Sequence, residues 1–183
     1  MYKICKSEQS AMRQRELEIG LLEVMQNHNY EDISVSDLCE HLHIPRKSFY
    51  RYFANKDGAF CALLDHTLEA CNHSVDPQSS MEDAILQYFL FWQQHGNLLA
   101  ALDRSSLSGK LVERTYEYAM QERGFIDRLL RRFPGSDKST VVMFLSTGLI
   151  STVLNWHKSG CNASVEHMSK TITTLFSEPI FPM

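Results

Sequence analysis

Apolar residues recur at steps of three and four along most of this 183-residue chain, and the alternating pattern typical of strands is weak throughout. The pattern predicts an all-α protein of about nine helices. The first predicted helix covers residues 9–27, with Met12, Ile19, Leu22 and Met25 among its inward positions.

Two short helices are predicted next. Ser34 begins the second helix, and Asp37, three residues later, completes a capping-box pattern. Val35, Leu38 and Leu42 are its predicted inward residues. The combination indicates a short helix that ends close to residue 41.

A tight turn over residues 41–44 then leads to Pro45, which suits the first turn of a third helix, predicted over 45–53. Phe49 and Phe53 stand four residues apart and are predicted to face the core. The remaining faces of this helix therefore carry its cations, hydroxyls and tyrosines: Arg46, Lys47, Ser48, Tyr50, Arg51 and Tyr52.

The rest of the chain continues as helices. An apolar stripe over residues 56–72 is wide enough to pack on two partners, and this fourth helix is predicted to connect a domain of residues 1–56 to one of residues 57–183. Residues 74–79 form the best linker candidate. The remaining helices are predicted at 80–94, 97–103, 110–132, 136–158 and 163–176.

The helix predicted over 136–158 is apolar on two sides. One row keeps a 3-4-3-4 step, and a second row of Val141, Phe144, Gly148 and Ser151 keeps it with smaller residues. Such steps are typical of a coiled-coil-like seam, so the last two helices are predicted to pair with a second copy in a dimeric four-helix bundle. The predicted interface residues are Val142, Leu145, Leu149, Trp156, Val165, Met168, Ile172 and Leu175.

The net charge of −4 gives no whole-protein argument for nucleic acid, but residues 41–56 carry four cations and no carboxylate. Five scattered cysteines argue against a disulfide framework. With neither a signal-peptide pattern nor an apolar run long enough for a membrane span, we expect a cytoplasmic protein without a membrane partner.

The run from Ile33 to Lys56, above all its ending FYRYFANK, resembles the DNA-binding domain of TetR/AcrR-family transcriptional regulators. The resemblance covers about residues 9–65, and the six later helices are similar in layout to the family's ligand-binding and dimerisation domain. Three residues depart from the family pattern: Leu42 stands where a small residue is common, His43 where glycine is common, and Pro45 where serine often caps the helix.

In a helix-turn-helix, the first residues of the second helix meet base edges in the major groove. Arg46 is the leading candidate for base reading, with Lys47 and Ser48 beside it. The resemblance implies that Tyr50, Tyr52 and Lys56, together with Ser34 and Ser36, hold phosphates. The N-terminal cations Lys3, Lys6, Arg13 and Arg15 either add minor-groove or phosphate contacts or form a solvated tail.

The family mechanism implies a homodimeric repressor whose operator affinity changes when a small molecule binds between helices 4, 5, 7 and 8 and moves helix 4. No cofactor or metal is expected. The candidate pocket residues are aromatic or sulfur-containing: Phe89, Trp92, Tyr116, Met120, Phe125, Met143 and Phe144.

Two other function classes remain open. The neutral balance of residues 1–56 and the atypical turn also suit a co-regulator or protein-interaction module with weak or no DNA binding. A ligand-binding helical bundle or enzyme is the second alternative, although no nucleophile motif or phosphate loop appears, so an enzyme is not expected. Cys39, His41 and His43 do not have the usual zinc-ligand spacing.

Overall fold

The computed structural model describes residues 2–121, 130–131 and 133–177. These residues form nine α-helices and one short 3₁₀ helix, Tyr30–Asp32, with no β-strand among them, so the all-α prediction is confirmed. The helices are α1 Glu8–Met25, α2 Val35–His41, α3 Arg46–Tyr50, α4 Lys56–Ser74, α5 Met81–Gln94, α6 Gly96–Arg104, α7 Ser108–Met120, α8 Lys138–Lys158 and α9 Val165–Ser177.

The chain divides into two compact units. The first contains residues 1–67 and 100–107, and the second contains residues 68–99 and 108–183. Helices α4 and α6 each begin in one unit and end in the other. The first unit is therefore built from two separate stretches of sequence.

The inward face of α1 differs in part from the prediction. Met25 is fully buried, but Met12 and Ile19 are 61% and 45% exposed. The buried positions are instead Gln14, Leu17, Glu18, Gly20, Leu21, Val24 and Met25. The predicted and the buried positions both follow a helical period, and only the helices packed against α1 decide which positions are covered. The prediction that Met12 and Ile19 face inward was therefore wrong.

Gly20 allows α1 and α2 to pack closely. A Cβ atom added at Gly20 would lie 2.5 Å from the Leu42 side chain, well inside van der Waals contact. The half-buried Leu42 thus occupies the space that a larger residue at position 20 would fill. This pairing accounts for the leucine where the family commonly has a small residue.

The turn between α2 and α3 is a Schellman motif. The Ile44 N–H donates to the Cys39 carbonyl at 2.9 Å and the His43 N–H to the Glu40 carbonyl at 3.1 Å. His43 takes the left-handed conformation, with φ of 52°. Histidine tolerates this region better than most side chains, so the turn forms without its usual glycine.

Helix α3 is shorter than the predicted 45–53. Pro45 lies outside it as the N-cap, with an extended backbone and no side-chain cap, and the α-helix ends at Tyr50. The Tyr52 and Phe53 amides still donate to the Phe49 carbonyl, so the chain makes one more turn. Phe49 and Phe53 are both buried, as predicted.

In the second unit, α7 packs along α8 and α5 packs along α9. The core is rich in aromatic rings: Phe89 meets Trp156 edge-to-face with centroids 5.6 Å apart. Two side-chain hydrogen bonds reinforce it, from the Ser169 hydroxyl to the Glu82 carbonyl at 2.8 Å and from the Trp156 indole N–H to the Ala163 carbonyl at 2.9 Å. Most of helix 7 beyond Met120, predicted to reach residue 132, lies outside the described residues.

Helix α8 has 21 residues and a window of mean hydropathy 1.3, so by length and composition it meets the criterion for a membrane span. This helix differs from the expectation that the chain contains no apolar run long enough for a membrane span. Seven of its residues, from Val142 to Trp156, are buried within the protein. A core helix of a soluble protein meets the same criterion, so the finding is weak evidence for a membrane partner.

Candidate nucleic-acid interface

The start of α2 is held by a complete capping box. The Ser34 hydroxyl accepts from the Asp37 amide at 3.1 Å, and the Asp37 carboxylate accepts from the Ser34 amide at 2.8 Å. The hydrogen bonds from Ser34 lower the pKa of Asp37. Ser34 and Ser36 are both exposed. The Ser34 hydroxyl is therefore already engaged in fixing the helix end, whereas Ser36 is a residue of the first turn.

Helix α3 exposes its cations and buries its one phenylalanine, Phe49. Arg46, Lys47 and Tyr50 are exposed and Ser48 is half-buried. The Arg46 guanidinium donates to the Tyr50 hydroxyl at 3.3 Å, and its Cζ lies 5.9 Å from the ring centroid. The bond to Tyr50 raises the pKa of Arg46. Residues 46 and 50 therefore form one prearranged pair on the outer face.

Lys56 has a structural role that the sequence did not indicate. Its ammonium donates to the carbonyls of Tyr30 and Glu31 and lies 4.1 Å from the centroid of the Tyr30 ring. The Tyr30 hydroxyl in turn donates to the Asp57 carboxylate at 2.5 Å, and burial followed by this bond raises the pKa of Tyr30. Lys56 thus links the start of α4 to the 3₁₀ helix. Its ammonium group has three N–H donors, and only the one not bonded to these carbonyls is available to a phosphate.

Three further contacts hold the chain between the end of α3 and the start of α4. The Asn55 side chain accepts from the Gly58 amide at 2.9 Å and so caps α4. The Lys3 amide donates to the Tyr52 carbonyl at 3.1 Å, and Tyr2 forms an isolated bridge with Phe53. The backbone of Tyr2 and Lys3 is therefore paired beside Tyr52 and Phe53, whereas the Lys3 and Lys6 side chains are exposed.

A buried carboxylate supports the same unit from within. Glu18 has no exposed surface and accepts from Arg15 at 2.8 Å and lies 2.9 Å from the His66 Nδ1. Glu18 lies on the same helix face as Leu21 and Met25, but its burial could not be predicted from the sequence, because its partner His66 is 48 residues away. Arg15 is thereby assigned to this internal pair rather than to a free tail.

The predicted pocket residues do not share one environment. Phe89 and Trp92 are fully buried, while Tyr116 and Met120 are half-buried. Met143 and Phe144 are 47% and 74% exposed, so they differ from the buried pair in their surroundings, and their place in a pocket wall stays a prediction. Phe125 lies outside the described residues.

The predicted dimer residues also separate into two groups. Six are buried within the chain and keep almost no surface for a partner: Val142, Leu145, Leu149, Trp156, Val165 and Ile172. Met168 is half-buried, and Leu175 is 55% exposed. The row through Val142 belongs to the protein's own core, where Trp156 meets Phe89 of α5. In the second row, Phe144, Gly148 and Ser151 are exposed and Val141 is half-buried.

No group of three or more histidine, cysteine, aspartate or glutamate side chains with metal-binding geometry occurs in the described part of the chain. Cys39 is buried and its pKa is raised by burial, whereas His41 and His43 are exposed. The Cys39–His43 pattern therefore does not converge on one point.

Comparison with known proteins gives a consistent assignment. Residues 20–63 match the family described as "Bacterial regulatory proteins, tetR family", and residues 79–178 match "Transcriptional regulator C-terminal region". No curated protein matches the chain in sequence.

Several solved structures share the fold at low sequence identity. Lin0861 from Listeria innocua superposes with a TM-score of 0.72 at 15% identity, covering 95% of this chain and 94% of that one. A tetR-family transcriptional regulator from Streptomyces coelicolor gives 0.61 at 20% identity, covering 89% and 80%. The dihydroxyacetone kinase operon activator DhaS gives 0.63 at 15% identity, covering 91% and 94%.

The match over residues 79–178 spans more than half of the chain, and the match over residues 20–63 covers the capped α2, the turn and α3. Both the helical fold and the exposed cations of the second short helix agree with these matches. The chain belongs to the TetR family of transcriptional regulators.

Proposed function

We propose that this protein is a repressor that binds operator DNA as a homodimer and whose operator affinity is changed by a small-molecule effector. The observation that carries the proposal is the division of α3, which buries Phe49 and leaves Arg46 and Lys47 exposed at its first turn. Those two residues stand where a recognition helix meets base edges.

Arg46 is the proposed base-reading residue, because a guanidinium can donate two hydrogen bonds to guanine N7 and O6. Lys47 and Ser48 add contacts at the same end of the helix. Tyr50, Tyr52, Ser34 and Ser36 are proposed to position the duplex through its phosphates, and Lys56 contributes to binding chiefly by holding α4 in place.

The proposed dimer surface is the exposed row of α8 together with the outer side of α9. It keeps Leu175 from the residues first predicted, which is exposed, and takes the exposed row through Phe144 in place of the buried Val142 row. A Cβ atom at Gly148 would meet nothing within 4 Å, so packing inside the chain gives no reason for a glycine there. A closely approaching helix from a second copy does give one.

The proposed effector site lies around the buried aromatic residues of α5. The Trp92 indole N–H is fully buried and has no hydrogen-bond partner among the described residues. The Tyr88 hydroxyl and the Cys71 thiol lie close enough to interact with it, although neither reaches full hydrogen-bond geometry. A ligand that carries a hydrogen-bond acceptor would give this donor a full hydrogen bond in place of these weak contacts.

The fold does not fix the sign of regulation, since DhaS, with the same fold, is named as an activator. Binding to DNA is therefore tested before repression. We expect a duplex from upstream of the protein's own gene to be shifted in a gel by the wild type, and to be bound at least about tenfold more weakly by Arg46→Ala and more weakly by Tyr50→Ala.

Binding that neither substitution weakens would contradict the assignment of α3. Binding that does not fall steeply with salt would favour the co-regulator alternative, because phosphate neutralisation releases counterions.

A further inference from the structure

A polar groove of about 390 Å³ lies between the N-terminal half of α1 and the α3 segment. Its floor contains the apolar side chains Leu17 and Ile44. Its walls carry two guanidinium groups, three hydroxyls and one carboxylate: Arg13, Arg51, Ser10, Ser48, Tyr52 and Glu16. The groove lies within the first unit, and its composition favours an anionic occupant.

The charges in the groove are unequal. Arg13 donates to Glu16 at 2.8 Å, so these two largely cancel. Arg51 is exposed and forms no ion pair with any residue in the ranges 2–121, 130–131 and 133–177. The net charge of the lining is therefore one positive charge, and it resides on Arg51.

The groove is continuous with the proposed DNA-binding face. Ser48 and Tyr52 line it and also belong to the α3 segment whose first turn carries Arg46 and Lys47. The Tyr52 backbone is fixed from the other side by the hydrogen bond from the Lys3 amide. The same short stretch of chain therefore contributes to both the proposed DNA-binding face and the groove.

We propose that this groove receives one backbone phosphate of the DNA duplex bound by α3, with Arg51 as its principal cation and Arg13 as a second one restrained by Glu16. The inference rests on the proposed DNA-binding function and extends it to residues on α1. Such a contact adds affinity and fixes the register of the helix without reading sequence. Glu16 limits the strength of the contact, because its carboxylate repels the phosphate and occupies Arg13.

The test uses the full chain and a fluorescently labelled random-sequence duplex, with affinity measured by anisotropy between about 50 and 200 mM salt. We expect Arg51→Ala to weaken binding severalfold and to reduce the slope of log K against log salt by about one. Arg51→Lys should retain the slope, since it retains the charge. Glu16→Gln should strengthen binding, since it frees Arg13.

Two control variants carry the same charge changes elsewhere. Lys110→Ala removes an exposed cation of α7, and Glu69→Gln removes an exposed carboxylate of α4; neither residue lines the groove or belongs to the proposed dimer surface. We expect both to bind as the wild type does. Equal effects of Glu16→Gln and Glu69→Gln would overturn the groove assignment, because they would reflect net charge alone.

The outcomes separate this inference from the function on which it rests. An unchanged salt slope in Arg51→Ala, together with weaker operator binding by Arg46→Ala, would overturn the groove and leave the proposed function standing. Inorganic phosphate is the last probe. If phosphate stabilises the wild type but not Arg51→Ala, and the two proteins have the same salt slope for DNA binding, the groove binds a free anion and the proposal is overturned. A wild type that binds no duplex would contradict both.

Discussion

The Arg46 guanidinium donates a hydrogen bond to the Tyr50 hydroxyl, one helical turn further along α3, at 3.3 Å. The two residues proposed to read bases and to hold a phosphate are therefore coupled before DNA arrives. A tyrosine that orients an arginine reduces the side-chain freedom that binding would otherwise remove.

This coupling predicts non-additive effects on DNA affinity. Tyr50→Phe keeps the ring beside Arg46 but removes the hydroxyl, so we expect a severalfold loss in the wild type and a much smaller loss in an Arg46→Ala background. A double-mutant cycle of operator affinities measures it. Equal losses in both backgrounds would mean that Tyr50 contacts phosphate independently of Arg46.

Replacing His43 with glycine should stabilise the protein. Its φ of 52° is strained for any residue with a Cβ, so His43→Gly should raise the free energy of unfolding by about 0.5–1 kcal/mol, measured by urea denaturation. Ser106→Gly, at φ of 55°, should behave alike. Glu40→Gly, inside α2, is the opposite control and should cost about 1 kcal/mol. A destabilised His43→Gly would indicate a contact of the imidazole that outweighs the strain.

Lys56 and Lys47 predict contrasting phenotypes. Lys56→Met removes hydrogen bonds to two carbonyls and the cation above Tyr30, so we expect a loss of about 1–2 kcal/mol in unfolding free energy. Lys47→Met, on the exposed face, should leave stability unchanged and weaken DNA binding. Thermal unfolding and anisotropy, measured on both variants, distinguish the roles. A fully stable Lys56→Met that binds DNA poorly would return Lys56 to the phosphate contacts.

If α8 packs against a second copy at Gly148, a larger residue there should change the oligomeric state. Leucine at this position fits the monomer, because a Cβ meets nothing within 4 Å, but it would hold a partner helix away. We expect Gly148→Leu to shift the protein from dimer to monomer in analytical ultracentrifugation without a fall in helical content. Gln93→Leu, on the exposed side of α5, is the matched control. A Gly148→Leu variant that stays dimeric would place the interface elsewhere.

The capping box of α2 predicts acid sensitivity. The pKa of Asp37 is lowered in the folded state, so its contribution to stability is complete above the unfolded value of about 3.9 and is lost as the pH falls through the lower folded value. We expect Asp37→Asn to flatten the dependence of the urea midpoint on pH below about 4. Ser34→Ala should flatten it too, since Ser34 is the main cause of the shift.

Local patterns predicted those parts of the fold that depend on neighbouring residues. The capping box at Ser34, the burial of Phe49 and Phe53 and the all-α class follow from spacings of three or four residues. The roles of Lys56 and Glu18 could not be predicted in this way, because their partners Tyr30 and His66 are 26 and 48 residues distant. On α8, two rows have the same period, and only the helices that pack on it, α7 and α5, decide that the Val142 row is internal.

Residues 100–107 belong to the first unit although they lie far along the chain from residues 1–67, and this limits how the unit can be transplanted. Arg104 donates to the Met25 and Gln26 carbonyls at the end of α1, and the Ser105 hydroxyl accepts from the Tyr30 amide at 3.0 Å. A chimaera that joins residues 1–67 to a foreign sensor domain would leave these groups without partners. To exchange the DNA-binding unit between such regulators, residues 1–67 and 100–107 therefore have to be transferred together. A chimaera with a single crossover point is not sufficient.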